Sequence, residues 1–280
     1  MKELFDSVSN RCSELVTKKY STSFSMAVNT LSPKIRADIY NIYGFVRFAD
    51  EIVDTFHDYN KEKLMAHFER DYYFAMEEGI SLNPILNSFQ QTVKKYKIPD
   101  HMVQAFLKSM KADLNKTEYN TKEEYDEYIY GSADVVGLMC LKVFVNGDDE
   151  MFDNLKDAAM RLGSAFQKVN FLRDLKDDFE LLSRSYFPNI DLGKLDKVSK
   201  QLIIDEIEAD FDYAYTNGIL KLPVEAKFGV YMAYRYYRRL LKKLKSVPSE
   251  KIMDTRIRIS DPMKINLLAR SYVKYKLNII

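Results

Sequence analysis

The sequence predicts an all-α fold, organised as one domain over residues 1–280. Apolar residues recur at positions i, i+3, i+4 and i+7 through nearly the whole chain, which is the period of an amphipathic helix. The 280 residues include only 9 glycines and 7 prolines, and so few helix breakers favour long helices over many short strands. No run of short alternating strands interrupts the pattern.

Prolines and glycines mark the ends of the predicted helices. Pro33 follows Ser32 and predicts the start of a helix that runs to about His57. We expect about eight to ten helices in all, one of them broken or bent near Gly131, and a loop over residues 185–194. The other helical segments are predicted at 61–79, 83–97, 99–114, 123–145, 149–182, 200–218, 223–245 and 261–277.

The net charge of +1 conceals a basic C-terminal part of the chain. Residues 219–280 contain 15 Lys and Arg against 4 Asp and Glu. These cations either lie on a solvated helix face that acidic neighbours balance, or attract an anionic ligand or membrane surface. The acidic remainder of the chain would repel a phosphate backbone, so we expect no nucleic-acid partner.

The cysteines and the N-terminal segment indicate a cytoplasmic protein. Cys12 and Cys140 have no metal-ligand spacing, which is typical of a chain in a reducing compartment. The segment MKELFDSVSNRCSEL contains no apolar signal core, and no apolar run is long enough to span a membrane. No sequence pattern sets the oligomeric state.

Two pairs of aspartates carry the strongest indication of function. Asp50 and Asp54 lie four residues apart in one apolar helical segment, and Asp174 and Asp178 do so in another. This spacing places both carboxylates of a pair on one helix face, about one turn apart. Paired carboxylates in an apolar setting are costly unless a cation neutralises them. The two pairs therefore predict opposite walls of a pocket that holds divalent metal ions and, through them, a polyphosphate.

Each pair extends into a longer polar stripe. On the first helix Tyr43 and Arg47 precede Asp50 on the same face, and on the second Gln167 and Asn170 precede the aspartates. The first stripe also fits an exposed edge on which Arg47 pairs with Asp50. Mg²⁺ prefers oxygen ligands and is usually shared between carboxylates and substrate phosphates. The two stripes together favour a site for two or three Mg²⁺ ions, with Mn²⁺ as a substitute, around a diphosphate.

Several motifs follow one another in a fixed order along the chain: YSTSF, residues 42–54, YIYGSADVVG, RLGSAFQKVNFLRDLKDD and RSYFP. In content and order they resemble the motifs of the squalene/phytoene synthase family, from about Lys18 to Lys264. The segment YGFVRFADEIVD is most similar to bacterial phytoene synthases.

This resemblance implies an isoprenoid-synthase fold, the class I terpenoid synthase bundle around a central cavity. It also implies head-to-head condensation of two prenyl diphosphates through a cyclopropyl intermediate. Tyr43 and Tyr130 are, with the four aspartates, the catalytic residues that it implies. The implied metal ligands are Asp50, Asp54, Asn170, Asp174 and Asp178. The implied substrate-binding side chains are Ser21, Arg47, Gln167, Asn170, Arg173, Arg184, Tyr237 and Lys264.

Several positions depart from the family's pattern, Phe187 and Asp134 among them. Phe187 stands where the family has a leucine, and Asp134 stands where it usually has a small residue. The carboxylate of Asp134 either contributes to the cavity wall or points away from it, and the sequence leaves both arrangements open.

The resulting hypothesis is a Mg²⁺-dependent prenyltransferase of carotenoid biosynthesis that joins two geranylgeranyl diphosphates into phytoene without NADPH. One alternative is a C30 synthase that makes squalene or dehydrosqualene from farnesyl diphosphate, of which squalene formation requires NADPH. A remote alternative is a helical scaffold without activity. Because the substrate and the product are lipids, we also expect a peripheral contact with the inner face of the membrane.

Overall fold

A computed structural model describes residues 1–116, 118–180, 187, 195–252 and 257–277, and for 176–180 and 250 it describes the backbone alone. This part of the chain contains thirteen α-helices, and two turns of other helix types join some of them. A π-helical turn, Tyr130–Asp134, connects α7 to α8, and a 3₁₀ turn, Ile219–Lys221, lies between α10 and α11. The α-helices are α1 (Lys2–Tyr20), α2 (Thr22–Val28), α3 (Pro33–Asp54), α4 (Lys61–Glu78), α5 (Pro84–Tyr96), α6 (Asp100–Ala112), α7 (Lys122–Ile129), α8 (Val135–Phe144), α9 (Asp149–Glu180), α10 (Lys197–Asn217), α11 (Val224–Ser246), α12 (Ser249–Ile252) and α13 (Asp261–Lys276).

Side-chain caps and prolines set the ends of α3, α4 and α5. Ser32 accepts a hydrogen bond from a backbone N–H in the first turn of α3, and Pro33 occupies the first helical position. Asn83 and Pro84 begin α5 in the same way. Gly79 ends α4 with a φ of 74°, a left-handed conformation that glycine adopts without steric cost. The all-helical prediction is confirmed, and α3 ends three residues before the predicted boundary.

The apolar pattern does not predict α1 and α2, and the prediction of eight to ten helices was therefore too low for the described residues. The buried face of α1 consists of Ser9, Ser13 and Thr17 instead of large apolar residues. The hydroxyl groups of Ser13 and Ser88 lie 2.8 Å apart where α1 meets α5. Small polar side chains allow close packing here without producing an amphipathic sequence pattern.

The break expected near Gly131 is confirmed, and it takes the form of the π-helical turn. A Cβ atom at Gly131 would lie 2.8 Å from the carbonyl oxygen of Ala105 on α6, so only glycine permits this approach. The turn also packs against α9. Gly163 of α9 is similarly close to the carbonyl oxygen of Ala133 in the turn. The turn is therefore fixed between two helices, which positions the residues at its ends.

Two apolar clusters form the core. The first surrounds Phe45 and Phe89, whose ring centroids lie 3.9 Å apart, and it draws mainly on α3, α5, α6 and α8. The second surrounds Ile207 and Phe211 and draws mainly on α9, α10 and α11. At 32 residues, α9 is the longest helix, and it packs against α8, α10 and α11. Among the described residues no helix has the length and apolar character needed to cross a membrane.

Candidate active site

A cavity of about 270 Å³ lies where the two core clusters meet. Its walls come from α2, α3, the π-helical turn, α8, α9, the end of α10 and α11 with the chain just before it. Most of the lining side chains are apolar. Polar side chains from three helices also reach it: Tyr43 of α3, Gln167 of α9 and Tyr237 of α11. Apolar side chains that define the space include Phe24, Ile42, Val136, Phe144, Leu162 and Val230.

The C-terminal part of α3 carries a cluster of charged side chains that begins one turn after Tyr43. Arg47 pairs with Asp50 and also with Glu51. Its guanidinium carbon lies 4.6 Å from the ring centroid of Tyr20, a cation–π contact at the end of α1. The Nε atom of Arg47 is buried and has no hydrogen-bond partner within the described residues. The ion pair on α3 that the sequence allowed is therefore present, and it leaves one donor of Arg47 for another anion.

The facing wall repeats this arrangement on α9. Arg173 Nε donates to Asp174 Oδ1 over 2.9 Å, and both side chains are less than one-fifth exposed. Burial acts to lower the pKa of Arg173, but the hydrogen bond and the charge of Asp174 raise that pKa above its ordinary value. On each wall the arginine therefore pairs with the carboxylate beside it.

Two tyrosines connect the walls. The hydroxyl of Tyr237 donates to Asn170 Oδ1 over 3.3 Å, and burial raises the pKa of Tyr237. Burial also raises the pKa of Tyr43 to about 12, and the charge of Asp50 acts in the same direction, against Arg47. Tyr237 is close enough to Tyr43 that it also acts to raise the pKa of Tyr43. The stripes of α3 and α9 thus lie around the same end of the cavity.

Two further predicted residues lie next to this end. Ser21 caps α2 and makes a hydrogen bond with Tyr43, which acts to lower the pKa of that tyrosine. Lys264 Nζ lies 3.1 Å from the hydroxyl oxygen of Thr22, the residue after Ser21. This contact brings the start of α13 to the first turn of α2.

The remaining predicted residues have different placements. Tyr130 is half-buried in the π-helical turn and packs against the first core cluster. Asp54 is half-buried in the last turn of α3. Asp178 lies in α9, but its side chain is outside the described set, as is the whole of Arg184. Phe187 is buried in the second core cluster.

Three contributions to this site were missed by sequence reasoning. Glu51 pairs with Arg47 four residues earlier, a spacing that could have revealed it. Tyr20 meets Arg47 across two helices, and no local pattern signals such a contact. Phe166 stacks on Tyr237 with ring centroids 4.1 Å apart, and its helical spacing was that of an ordinary core residue.

Both walls carry oxygen donors of the chemical kind that binds Mg²⁺. Asp50 and Asp54 on α3 and Asn170 and Asp174 on α9 offer carboxylate and amide oxygens, the donors that Mg²⁺ prefers. Among the described side chains, no group of three or more Asp, Glu, His or Cys residues could hold a metal ion. A site that uses substrate phosphates to complete its ligand set is consistent with this sparse arrangement.

Asp134 points away from the cavity. Ser164 Oγ donates to Asp134 Oδ1 over 2.7 Å, while the neighbouring Ala133 lines the cavity. Burial raises the pKa of Asp134 to about 7, and the charge of Asp210 acts in the same direction. Asp210 is itself buried against Lys168, with Nζ to Oδ2 at 2.7 Å. Asp134, which departs from the family's pattern, therefore belongs to a polar cluster with side chains of α9 and α10.

We expect Asp134→Asn to stabilise the protein in a pH-dependent way. Since the pKa of Asp134 is about 7 in the folded chain and about 4 when unfolded, the folded state binds the extra proton between these values. Wild-type stability therefore falls as pH rises through this range, and asparagine cannot ionise. The variant should melt about 4 °C above wild type near pH 8, on the order of 2 kcal/mol, and show little gain near pH 5.

The matched control is Asp157→Asn, at an exposed position of α9, the helix against which the π-helical turn packs. Its melting temperature should differ from wild type by the same small amount at both pH values. An Asp134→Asn difference that does not change with pH would contradict the ionisation argument.

Comparison with known proteins gives one family. A sequence model described as "Squalene/phytoene synthase" matches residues 17–262. A phytoene synthase of Arthrospira platensis is 25% identical over 254 residues, which is 82% of this chain and 81% of that protein. A 15-cis-phytoene synthase of a Paracoccus species is also 25% identical, over 89% of this chain and 86% of that protein.

Solved structures share the fold. A dehydrosqualene synthase in complex with a ligand superposes with a TM-score of 0.81 at 20% identity, covering 97% of this chain and 98% of that one. Squalene synthase HpnC from Alicyclobacillus acidocaldarius superposes with a TM-score of 0.73 at 20% identity, covering 85% and 93%. The bundle around a central cavity is therefore the isoprenoid-synthase fold.

Proposed function

This chain belongs to the squalene/phytoene synthase family, and from that premise we propose that it condenses two geranylgeranyl diphosphates to phytoene through a cyclopropyl diphosphate. It is a prenyltransferase of the head-to-head class. The observation that carries the proposal is the apolar cavity lined by Tyr43 of α3 and Gln167 of α9. Each of these helices carries an arginine–carboxylate pair within two turns of its lining residue. The choice of a C20 substrate rests on relatives named as phytoene synthases over most of the chain.

The diphosphate binds at the end of the cavity where the two arginines lie. Arg47 and Arg173 would bind diphosphate oxygens, and Asp50 and Asp174, their present partners, would hold Mg²⁺. Asp54, Asn170 and Asp178 complete the protein's donor set, with Mn²⁺ as a substitute ion. Mg²⁺ held by these residues would supply charge neutralisation for the leaving diphosphate. Ser21, Tyr130, Arg184 and Lys264 are the further substrate-binding and catalytic residues of the proposal.

The cavity protects the carbocation that diphosphate departure leaves behind. Its apolar walls exclude water, which would otherwise convert the cation to an alcohol. Two stacked aromatic pairs flank the diphosphate end: Phe24 with Tyr43, at 4.8 Å between centroids, and Phe166 with Tyr237. An aromatic face stabilises a nearby cation by roughly 0.5–2 kcal/mol.

Closure of the cyclopropane ring requires loss of a proton. Tyr43, with a pKa of about 12, stays protonated at neutral pH and is a hydrogen-bond donor to the leaving group instead of a base. Gln167 is a neutral amide and a poor proton acceptor. The released diphosphate, held by the arginines, therefore takes the proton.

The test is to identify the hydrocarbon made by the purified protein. With Mg²⁺ and geranylgeranyl diphosphate alone, we expect phytoene, identified by mass spectrometry. A preference for farnesyl diphosphate with a C30 product would overturn the chain length, and a dependence on NADPH would indicate squalene formation. A scaffold would give no product and no rise in melting temperature with Mg²⁺ and a non-hydrolysable prenyl diphosphate analogue, because a ligand that binds the folded state stabilises it.

A further inference from the structure

The basic C-terminal part of the chain divides into two helices with different surroundings. On α11, cations pair with carboxylates of α10, as Arg238 does with Asp212 and Lys245 with Glu208. On α11 the cations thus lie on a helix face that acidic neighbours balance, which is one of the two arrangements that the sequence left open. On α13, the exposed Arg270, Lys274 and Lys276 form no ion pair with any part of the chain that the structure describes.

The same outer face of α13 exposes large apolar side chains. Ile265, Val273 and Leu277, the residue that caps the helix, are each more than half exposed, and Tyr272 is half exposed. The inner face is buried through Leu267 and Ser271. At 100° per residue the exposed apolar and basic side chains occupy one continuous arc of the helix. Large exposed apolar side chains beside unpaired cations are typical of a helix that lies in a membrane interface.

We infer that the outer face of α13 docks on an anionic lipid surface. Cations near such a surface gain about 1 kcal/mol each, and apolar side chains beside them enter the boundary between headgroups and acyl chains. The inference rests on the proposed function, since a lipid substrate and a hydrocarbon product give the enzyme a reason to work at a membrane. The only carboxylate of α13 is Asp261, in its first turn, where it pairs with Lys264.

A second copy of the chain fits this face poorly. A two-fold contact through α13 would bring Arg270, Lys274 and Lys276 close to their own symmetry mates. Like charges brought together in this way oppose association, whereas anionic headgroups neutralise them. The charge of the face therefore favours lipid over self-association.

The docked orientation would place the membrane near one wall of the cavity. Lys264, at the start of α13, contacts Thr22 of α2. Tyr272 and Tyr275 of α13 pack against Phe228 of α11, with ring centroids 5.9 and 4.9 Å apart. Both α2 and α11 contribute to the cavity lining, so α13 covers the outside of this wall.

The test uses full-length protein and sedimentation with vesicles of phosphatidylcholine, alone or mixed with phosphatidylglycerol. Wild type should bind the mixed vesicles, and binding should weaken as NaCl is added. Reversing two charges with Lys274→Glu and Lys276→Glu should reduce the partition coefficient at least about tenfold. The matched control, Lys63→Glu with Lys94→Glu, makes the same charge change at exposed positions of α4 and α5 and should bind like wild type.

Binding that ignores phosphatidylglycerol, or equal losses in the control pair, would overturn the inference. Dimerisation of wild type that the α13 variant abolishes would also overturn it in favour of a second copy. Turnover of substrate dispersed in detergent separates docking from catalysis, and the α13 variant should match wild type there. Vesicle binding by a wild-type protein that turns over no prenyl diphosphate would refute the proposed function and leave the docking surface standing.

Discussion

Replacement of Asp50 by alanine should reduce turnover by about 10³-fold while leaving the fold intact. In the proposed site Asp50 would be a ligand of the metal that neutralises the leaving diphosphate. Asp54, one turn later on the same face, is itself a ligand in the proposal and so cannot also take the place of Asp50. The fold should persist because Arg47 keeps its pair with Glu51 and its contact with Tyr20. Asp50 is about one-third exposed, so loss of its own pair should change stability by no more than about 1 kcal/mol.

The measurement is steady-state turnover with saturating Mg²⁺, together with the midpoint of urea unfolding. Asp58→Ala is the matched control, since it makes the same chemical change at an exposed aspartate just beyond α3. It should retain wild-type activity. Near-wild-type turnover by Asp50→Ala would contradict the assignment of Asp50 as a metal ligand. A large fall in the unfolding midpoint would show that Asp50 stabilises the fold instead.

Local spacing explains which parts of the site could be predicted. Tyr43, Arg47 and Asp50 lie on one face because α-helical geometry alone places residues three and four apart together. Asn170 and Asp174 follow the same rule on α9. The sequence therefore predicted which side chains share each wall, and the occurrence of two aspartate pairs predicted opposite walls of one pocket.

Contacts between helices could not be predicted from spacing. Tyr20 reaches Arg47 only because the end of α1 lies against α3, and α1 itself buries small hydroxyl side chains that leave no apolar stripe to detect. The direction of Asp134 depends on Ser164, thirty residues later in the chain. Both features follow from tertiary packing, which a helical period does not specify.

Replacement of Phe45 by alanine should lower the free energy of unfolding by about 3–5 kcal/mol. Phe45 is fully buried, stacks on Phe89 with centroids 3.9 Å apart, and lies 5.3 Å from the ring of Phe68. Truncation would leave a cavity that neighbouring helices can fill only in part, so the cost exceeds the loss of transfer free energy. Urea unfolding gives the measurement. Phe74→Ala is the matched control, because Phe74 is 56% exposed and its loss should cost less than about 1 kcal/mol.

Phe45 and Asp50 lie on the same helix, about 140° apart around its axis. Their two replacements therefore test whether one face of α3 stabilises the fold while another face serves catalysis. Phe45→Ala should lose stability and, while folded, keep its turnover per molecule, whereas Asp50→Ala should do the reverse. If Phe45→Ala does not fold, Phe45→Leu provides a smaller change of about 1–1.5 kcal/mol at the same position. Loss of turnover by folded Phe45→Leu equal to that of Asp50→Ala would mean that packing behind α3 sets the geometry of the charged group. The distinction between an anchoring face and a catalytic face would then fail.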